Sequence, residues 1–161
     1  MAVPGLSTLG VLVGYSVVTD TSSLPTSMTL LPRCQSFGAI SLSNETIDAT
    51  CLEDEVKKNV AGAADTGGSV TATFNRTPES ISALTAMIDA YKTSLKTNAD
   101  TLVCIEVYDP KDADHATWSF LQPPPALPTP EYGANALQTM DIEFTVVELY
   151  GTAKGVKPAE G

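Results

Sequence analysis

The sequence is poor in the residues on which most catalytic and metal sites depend. It has a single histidine, His115, and three widely spaced cysteines, Cys34, Cys51 and Cys104, without a C-x-x-C pair. A Ser-His-Asp triad would need His115, but no nucleophile-elbow motif accompanies it, and the cysteine pattern argues against a disulfide framework or a zinc site. We therefore expect no enzyme, no metal and no cofactor. His115 is expected at the surface, and Cys51 and Cys104 in the core.

Basic residues and long apolar runs are also scarce. Nine lysines and arginines stand against 19 aspartates and glutamates, so the net charge is -10. An acidic surface repels phosphate, which argues against specific nucleic-acid binding but permits passage of nucleic acid through a non-adhesive channel. Because the sequence has neither an 18-residue apolar run nor a signal peptide, we expect a soluble chain with no membrane partner, made in a cytoplasm.

What the sequence does contain is the alternation typical of β-strands. We interpret residues 1–161 as one domain, with 151–161 as a flexible tail. Alternation over Thr46–Leu52 and Ser69–Asn75 predicts two strands that could pair as a hairpin. Further strands are expected at 11–18, 36–42, 101–108, 116–121 and 136–150. In the last, the alternation breaks at Val147-Glu148, which indicates a bulge or a change of neighbouring strand.

One helix is expected over about 78–96. Thr77 suits the N-cap, Pro78 the first helical position, and Glu79 the positive end of the helix dipole. The apolar residues that follow recur at helical spacing, so the helix should cover one face of a sheet. This apolar stripe consists of Ile81, Leu84, Ile88, Tyr91 and Leu95.

A long arm at 53–68 is the strongest functional signal. It is acidic and then basic, partly apolar, and longer than a hairpin between its flanking strands needs. We interpret it as a docking arm and not as a solvated surface loop. The proline-rich segment 122–135 is expected to be an extended loop, and we assign it no role. The charged residues proposed for the arm are Glu53, Asp54, Glu55, Lys57, Lys58 and Asp65.

The order of these features resembles the tail tube (major tail) protein of long-tailed, lambda-like bacteriophages. The resemblance rests on Asp48-Ala49-Thr50, the charged segment Leu52–Lys58, Ala61-Gly62, Asp65 with Gly67, and the strand and helix that follow. It implies a mainly β fold, a β-sandwich or partly rolled barrel with one flanking α-helix and a long loop arm. It further implies a structural virion protein whose hexameric rings stack into a tube.

The resemblance also implies what lies inside and around the tube. Phage DNA would pass through the lumen without specific binding, and the partners would be other copies of the chain, the tape measure protein and the tail terminator. The protein would belong to the virion tail and be made in the bacterial host cytoplasm. The arm would dock onto the next ring. The side chains proposed to face the lumen are Asp48, Thr71, Thr73, Asp141, Glu143 and Thr145.

Two other interpretations remain open from the sequence. The chain could be a tube subunit of a type VI secretion system or of a phage-tail-like bacteriocin, which share the fold and differ in what passes through. It could also be a monomeric cytoplasmic β-sandwich binding module. A tube subunit should polymerise at high concentration, whereas a binding module should stay monomeric.

Overall fold

The computed structural model describes residues 9–65 and 68–159, and within them the chain is mainly β with one α-helix. The strands are β1 Leu12–Val18, β2 Thr29–Leu30, β3 Cys34–Phe37, β4 Ser43–Asp48, β5 Asn59–Asp65, β6 Ser69–Asn75, β7 Leu102–Tyr108, β8 Ala116–Gln122 and β9 Thr139–Ala153. The helix α1 spans Pro78–Leu95, and a 3₁₀ segment spans Pro110–His115.

Seven strands form one open antiparallel sheet in the order β2-β1-β7-β8-β9-β6-β3. The strands β4 and β5 pair only with each other, as a separate two-stranded hairpin. The mainly β fold with one flanking helix is therefore confirmed, and the sheet is not closed into a barrel.

The hairpin corrects the expected strand pairing. Thr46–Leu52 was predicted to pair with Ser69–Asn75, but β4 pairs with β5, and β6 lies between β3 and β9. The segment 53–68 is also not a loop throughout, because Asn59–Asp65 forms a strand. Its Gly/Ala-rich sequence carries little β propensity, so local pattern could not reveal it.

The helix begins at the residue that the sequence indicated. The Thr77 hydroxyl accepts a hydrogen bond from the Ser80 amide at 3.1 Å, and the Ser80 hydroxyl accepts one from the Thr77 amide at 2.9 Å. This reciprocal capping box satisfies two amides that the first helical turn leaves without partners. Pro78 takes the first helical position, where its missing amide costs nothing.

The helix covers one face of the large sheet. Leu84, Met87 and Ile88 are buried against apolar side chains from β6, β7 and β9. The ring of Phe37 packs beside that of Phe144 on the same face, with centroids 6.5 Å apart. The sheet residues of this core include Val70, Ala72, Phe74, Val103, Ile105, Met140, Ile142, Phe144 and Val146.

A smaller apolar cluster lies on the opposite face, centred on β7 and β8, with Val18 of β1 and Ala153 of β9 packed against it. Cys104, Trp118 and Phe120 are buried there beneath Met28 and the C-terminal segment. The expected burial of Cys104 is confirmed, whereas the expected burial of Cys51 is wrong, because Cys51 lies exposed in the turn of the hairpin. Alternation alone could not distinguish the two cysteines. Cys104 lies in β7, a central strand of the large sheet, whereas Cys51 lies in the turn of the separate hairpin.

The C-terminal segment is attached to this second cluster. Residues 151–153, expected to begin a flexible tail, instead complete β9. The Val156 amide donates to Glu106 Oε1 at 2.9 Å, and the Ala159 carbonyl accepts from Leu30 at 2.8 Å. The bulge expected near Val147-Glu148 is confirmed, because Phe120 pairs with Glu148 and Leu121 with Val146, leaving Val147 as the extra residue.

The ionisation of Glu106, which binds the C-terminal segment, makes the stability of the fold depend on pH. Its side chain is fully buried, and burial raises the pKa of Glu106 from its ordinary value of 4.5 to about 7, with the Val156 amide opposing the shift in part. Because the folded state holds this proton more tightly than the unfolded chain, the stabilisation is complete below pH 4.5. It declines as the pH rises to about 7.

Replacing Glu106 with glutamine is therefore expected to remove a pH-dependent loss of stability. The difference in unfolding free energy between wild type and Glu106→Gln should change by an amount on the order of 2–3 kcal/mol from pH 4.5 to pH 8, in favour of the variant. Urea unfolding at both pH values measures it, with the exposed Glu148→Gln as the control. Parallel pH profiles for wild type and Glu106→Gln would contradict the prediction.

Candidate assembly surfaces

The β4–β5 hairpin stands apart from the body of the molecule. Ile47 pairs with Val60 and Asp48 with Asn59, and every described side chain of the two strands is exposed. Ile47 keeps 53% of its surface accessible and Val60 keeps 51%, although they lie side by side. A two-stranded hairpin without a further layer is marginally stable in water. In the described part of the chain, no further layer packs on this one.

The turn of the hairpin, 49–58, is nevertheless well ordered by hydrogen bonds. The Thr50 hydroxyl accepts from the Lys58 amide at 2.9 Å and donates to the Lys58 carbonyl at 3.2 Å. The Asp48 carboxylate accepts from the Thr50 amide at 2.9 Å, and hydrogen bonding with Thr50 lowers the pKa of Asp48. The Asp54 carboxylate accepts from the Cys51 amide at 2.8 Å. The tip therefore holds a defined shape.

The charged residues proposed for the arm mostly lie in this turn. Asp54 is half-buried and lies 3.5 Å from the Lys58 ammonium, which is exposed, so this surface ion pair contributes little stability. Asp65 lies at the base of the hairpin, where its backbone pairs with Ser43. Thr66 and Gly67 of the predicted arm lie outside the described residues. The other proposed residues, Glu53, Glu55 and Lys57, are exposed.

Two apolar residues at the tip were not singled out from the sequence. Leu52 is fully exposed and Val56 is 72% exposed, among the charges of the turn. The sequence could have indicated their exposure, because both are isolated apolar residues in a charged segment. That segment lacks the alternation that would place them on the buried face of a strand. The tip thus combines two aliphatic side chains with both signs of charge.

A polar face on β6 and β9 forms the second candidate surface. Ser69 pairs with Thr145, Thr71 with Glu143 and Thr73 with Asp141. These six side chains alternate with the buried residues beneath α1 and therefore lie on the face opposite the helix. Only Thr73 is half-buried, and its hydroxyl donates to Asp141 Oδ1 at 2.8 Å.

Five of the six residues proposed to face the lumen are thus brought together. They are Thr71, Thr73, Asp141, Glu143 and Thr145, and the exception is Asp48, which lies in the hairpin. The sequences of β6 and β9 contain no lysine or arginine, so the shared face is acidic.

The edges of the large sheet differ from each other. The C-terminal segment partly covers the β2 edge through a bridge between Thr29 and Ala159. At the other edge, β3 has four residues, with β6 on one side and a register shift between Cys34 and Ser36. A short, irregular edge strand limits indiscriminate pairing but still presents backbone groups to a matching strand.

The single histidine of the chain, His115, ends the 3₁₀ segment Pro110–His115. His115 is exposed, with Nδ1 2.8 Å from Asp112 Oδ1, and this hydrogen bond raises the pKa of His115. Among residues 9–65 and 68–159, no group of three or more potential ligands is placed to hold a metal ion. In the same part of the chain, no helix is both long and apolar enough to cross a membrane.

Comparison with known proteins gives similarity in fold but not in sequence. No protein-family profile matches the chain, and no curated protein matches it significantly. A chain of the PVC extracellular contractile injection system, in its sheath/tube terminator in the extended state, aligns with a TM-score of 0.60 at 12% identity, covering 90% of this chain and 94% of that one.

Two further solved structures match over most of their length. A chain of the gene transfer agent tail, computed with helical refinement and C6 symmetry, aligns with a TM-score of 0.58 at 13% identity, covering 92% of this chain and 100% of that one. A chain of the SPP1 tail tube aligns with a TM-score of 0.56 at 13% identity, covering 91% and 78%. This chain therefore has a fold found in tails and injection systems, and these similarities do not single out the lambda-like type.

The hairpin turn should be a local unit, independent of the core. Replacing Thr50 with valine removes a reciprocal hydrogen bond and is expected to speed hydrogen exchange of the Lys58 amide roughly fivefold, as loss of about 1 kcal/mol implies. The melting temperature should not change measurably, because no core residue is touched. Native-state exchange followed by NMR measures both, with the exposed helix variant Thr93→Val as the control. A matching drop in global stability would contradict this local role.

Proposed function

We propose that this chain is the repeating subunit of a tail tube in a phage or phage-like particle. The observation that carries the proposal is the exposed β4–β5 hairpin, whose Ile47–Val60 pair has no covering layer in the described structure. The shared fold with chains of the gene transfer agent tail and the SPP1 tail tube supports it. On this proposal the protein is structural, non-enzymatic and located in the virion tail, after synthesis in the bacterial host cytoplasm.

Copies of the chain associate side by side into hexameric rings. The open β3 edge is suited to this contact, because a strand edge that meets a neighbouring edge satisfies its free backbone groups. A head-to-tail contact that closes on itself produces a ring and leaves no edge exposed. The C6 symmetry of the gene transfer agent tail supports the number of copies.

The rings stack through the hairpin. Its tip carries Leu52 and Val56 together with Lys57 and the neighbouring acids, so contact with the next ring would bury apolar surface and pair charges. Because docking buries both faces of an otherwise isolated hairpin, it also supplies the packing that the hairpin lacks within the chain.

The polar face of β6 and β9 lines the channel. Its two carboxylates, Asp141 and Glu143, repel phosphate, and hydroxyl groups keep the rest of the face hydrated. DNA would therefore pass during ejection without specific binding. The tape measure protein would occupy the same bore before DNA, and the tail terminator would end the stack of rings.

A second candidate is the tube of a contractile injection system, a class that includes type VI systems and phage-tail-like bacteriocins. The specific observation in its favour is the similarity to a chain of the PVC injection system. Such a tube has the same subunit contacts but works inside a sheath and transports other cargo. A sheath that co-assembles with the protein would identify this second function.

A third candidate, from another class, is a monomeric β-sandwich binding module. It predicts a single sedimenting species at every concentration, whereas a tube subunit forms fast-sedimenting polymers above a critical concentration. An enzyme with a Ser-His-Asp triad would require His115, so an activity abolished by His115→Ala would be evidence for that function.

Shortening the hairpin should separate folding from assembly. Replacing residues 49–58 with Asn-Gly, which closes a tight two-residue hairpin turn, should leave a folded monomer that forms no tubes. The helix and both cores are untouched, so the melting temperature should stay within about 2 °C of wild type. Circular dichroism checks the fold, and negative-stain microscopy with sedimentation checks assembly. Normal tubes from the shortened protein would contradict a stacking role.

Reversing the charge of the polar face should make the channel retain DNA. The variant Asp141→Lys/Glu143→Lys is expected to form tubes that protect short duplex DNA from nuclease, with protection lost as salt rises. The matched control is Asp89→Lys/Asp100→Lys, which makes the same change in net charge at exposed positions outside the large sheet. Equal protection by both variants, or by neither, would show that this face does not line the bore.

A further inference from the structure

An apolar groove lies at the opposite end of the molecule from the hairpin. It has a volume of about 610 Å³, between α1 and the β1–β2 edge, which falls within the roughly 300–1,000 Å³ typical of binding pockets. Its walls are apolar and half-buried at Tyr15, Leu30, Pro32 and Ala83, and Ala86 adds a small exposed side chain. Small residues on the helix keep the groove open.

The hairpin and the groove are separated by the length of β6. The chain leaves β3 at Phe37, opposite Ala72, and re-enters the sheet at Ser69, so both ends of the hairpin lie at the Ser69 end of β6. At the other end, the Asn75 amide donates to the Arg33 carbonyl at 2.9 Å, next to the groove residue Pro32. Seven residues of strand separate the two ends by about 20 Å.

The charges at the two sites are complementary. Glu79 lines the groove and lies 3.8 Å from Arg33, with both side chains more than half exposed, so this ion pair is weak and open to exchange. The hairpin tip also carries both signs, with Lys57 near Glu53 and Glu55. Each site can therefore offer the other a partner of opposite charge.

We propose that the groove is the receptor for the hairpin tip of a second copy, with Leu52 and Val56 entering between α1 and the β1–β2 edge. This inference rests on the proposed function and specifies its ring-to-ring contact. Because the base of the hairpin and the groove lie at opposite ends of β6, the tip and the groove are different surfaces of the molecule, and the contact is head-to-tail. Each copy then gives one tip and receives another, so the contact propagates and does not stop at a dimer.

Cross-linking from the native Cys51 tests the contact directly. Cys51 is exposed at the tip, whereas Cys104 is buried and Cys34 is half-buried. A cysteine introduced at Ala86, inside the groove, should cross-link to Cys51 of another copy under mild oxidation, giving a ladder of dimers, trimers and longer chains. The matched control is Thr93→Cys, exposed about two turns further along the same helix, which should give no ladder. Adding Cys51→Ser to Ala86→Cys should abolish the ladder.

Filling the groove tests its role in assembly. Ala83→Trp should raise the critical concentration for tube formation at least about tenfold, the loss expected when a central apolar contact is blocked. Lys57→Glu should raise it as well, and adding Glu79→Lys should restore it, because the pair regains opposite charges. Should Ala83→Trp destabilise the fold, this charge exchange at two exposed positions still decides the matter.

The outcomes separate this inference from the proposed function. A ladder that extends beyond the dimer, together with rescue by the charge exchange, supports the groove as the receptor. A ladder that stops at dimers overturns it. If wild type forms tubes and the shortened hairpin does not, but Ala86→Cys gives no ladder and the charge exchange no rescue, the groove is overturned while the proposed function stands. If wild type never polymerises, both fail.

Discussion

A single helix is available to cover a sheet of seven strands, and the rest of the structure depends on how the remaining sheet surface is covered. An 18-residue helix covers part of one sheet face. On the other face, each group of strands must be either covered by another segment or polar enough to face water. Over β7 and β8 the chain supplies its own cover, with Met28 and the C-terminal segment above Trp118. Along β6 and the part of β9 that pairs with it, the described residues supply no such cover, and the face is polar instead. The sheet is thus divided into a self-covered half and a half that faces outward.

The hairpin also lacks a covering layer in the described structure, and its exposed side chains include apolar ones. Polar side chains make the outward face of β6 and β9 stable in water, but Ile47, Val60, Leu52 and Val56 gain nothing from exposure. Their stabilisation must come from another chain, or the hairpin remains marginal. The uncovered polar face and the uncovered apolar hairpin therefore have opposite physical meanings. The first is suited to remain in contact with water, and the second to be buried in an assembly.

The sequence indicated those features that depend on neighbours along the chain. The cap at Thr77, the apolar stripe of α1 and the alternation of Ser69–Asn75 were all visible locally, and the structure contains them. Strand pairing was not visible, because register depends on contacts between distant segments. The sequence could not reveal that Asn59–Asp65 pairs with β4, that Cys51 lies outside the core, or that residues 151–153 extend β9. The polar face emerged only when β6 and β9 were found side by side, although its members alternate in the sequence.

Net charge limits how copies of such a chain can associate. At a charge of -10 they repel one another, and in the proposed tube, which gathers Asp141 and Glu143 from several copies around one bore, that repulsion is concentrated. Exposed ion pairs such as that between Arg33 and Glu79 are too weak to offset it. Backbone pairing at the β3 edge and apolar burial at the hairpin tip do not depend on net charge. An acidic bore therefore requires that the contacts holding its wall together be mainly uncharged, and those are the contacts this chain leaves unsatisfied when alone.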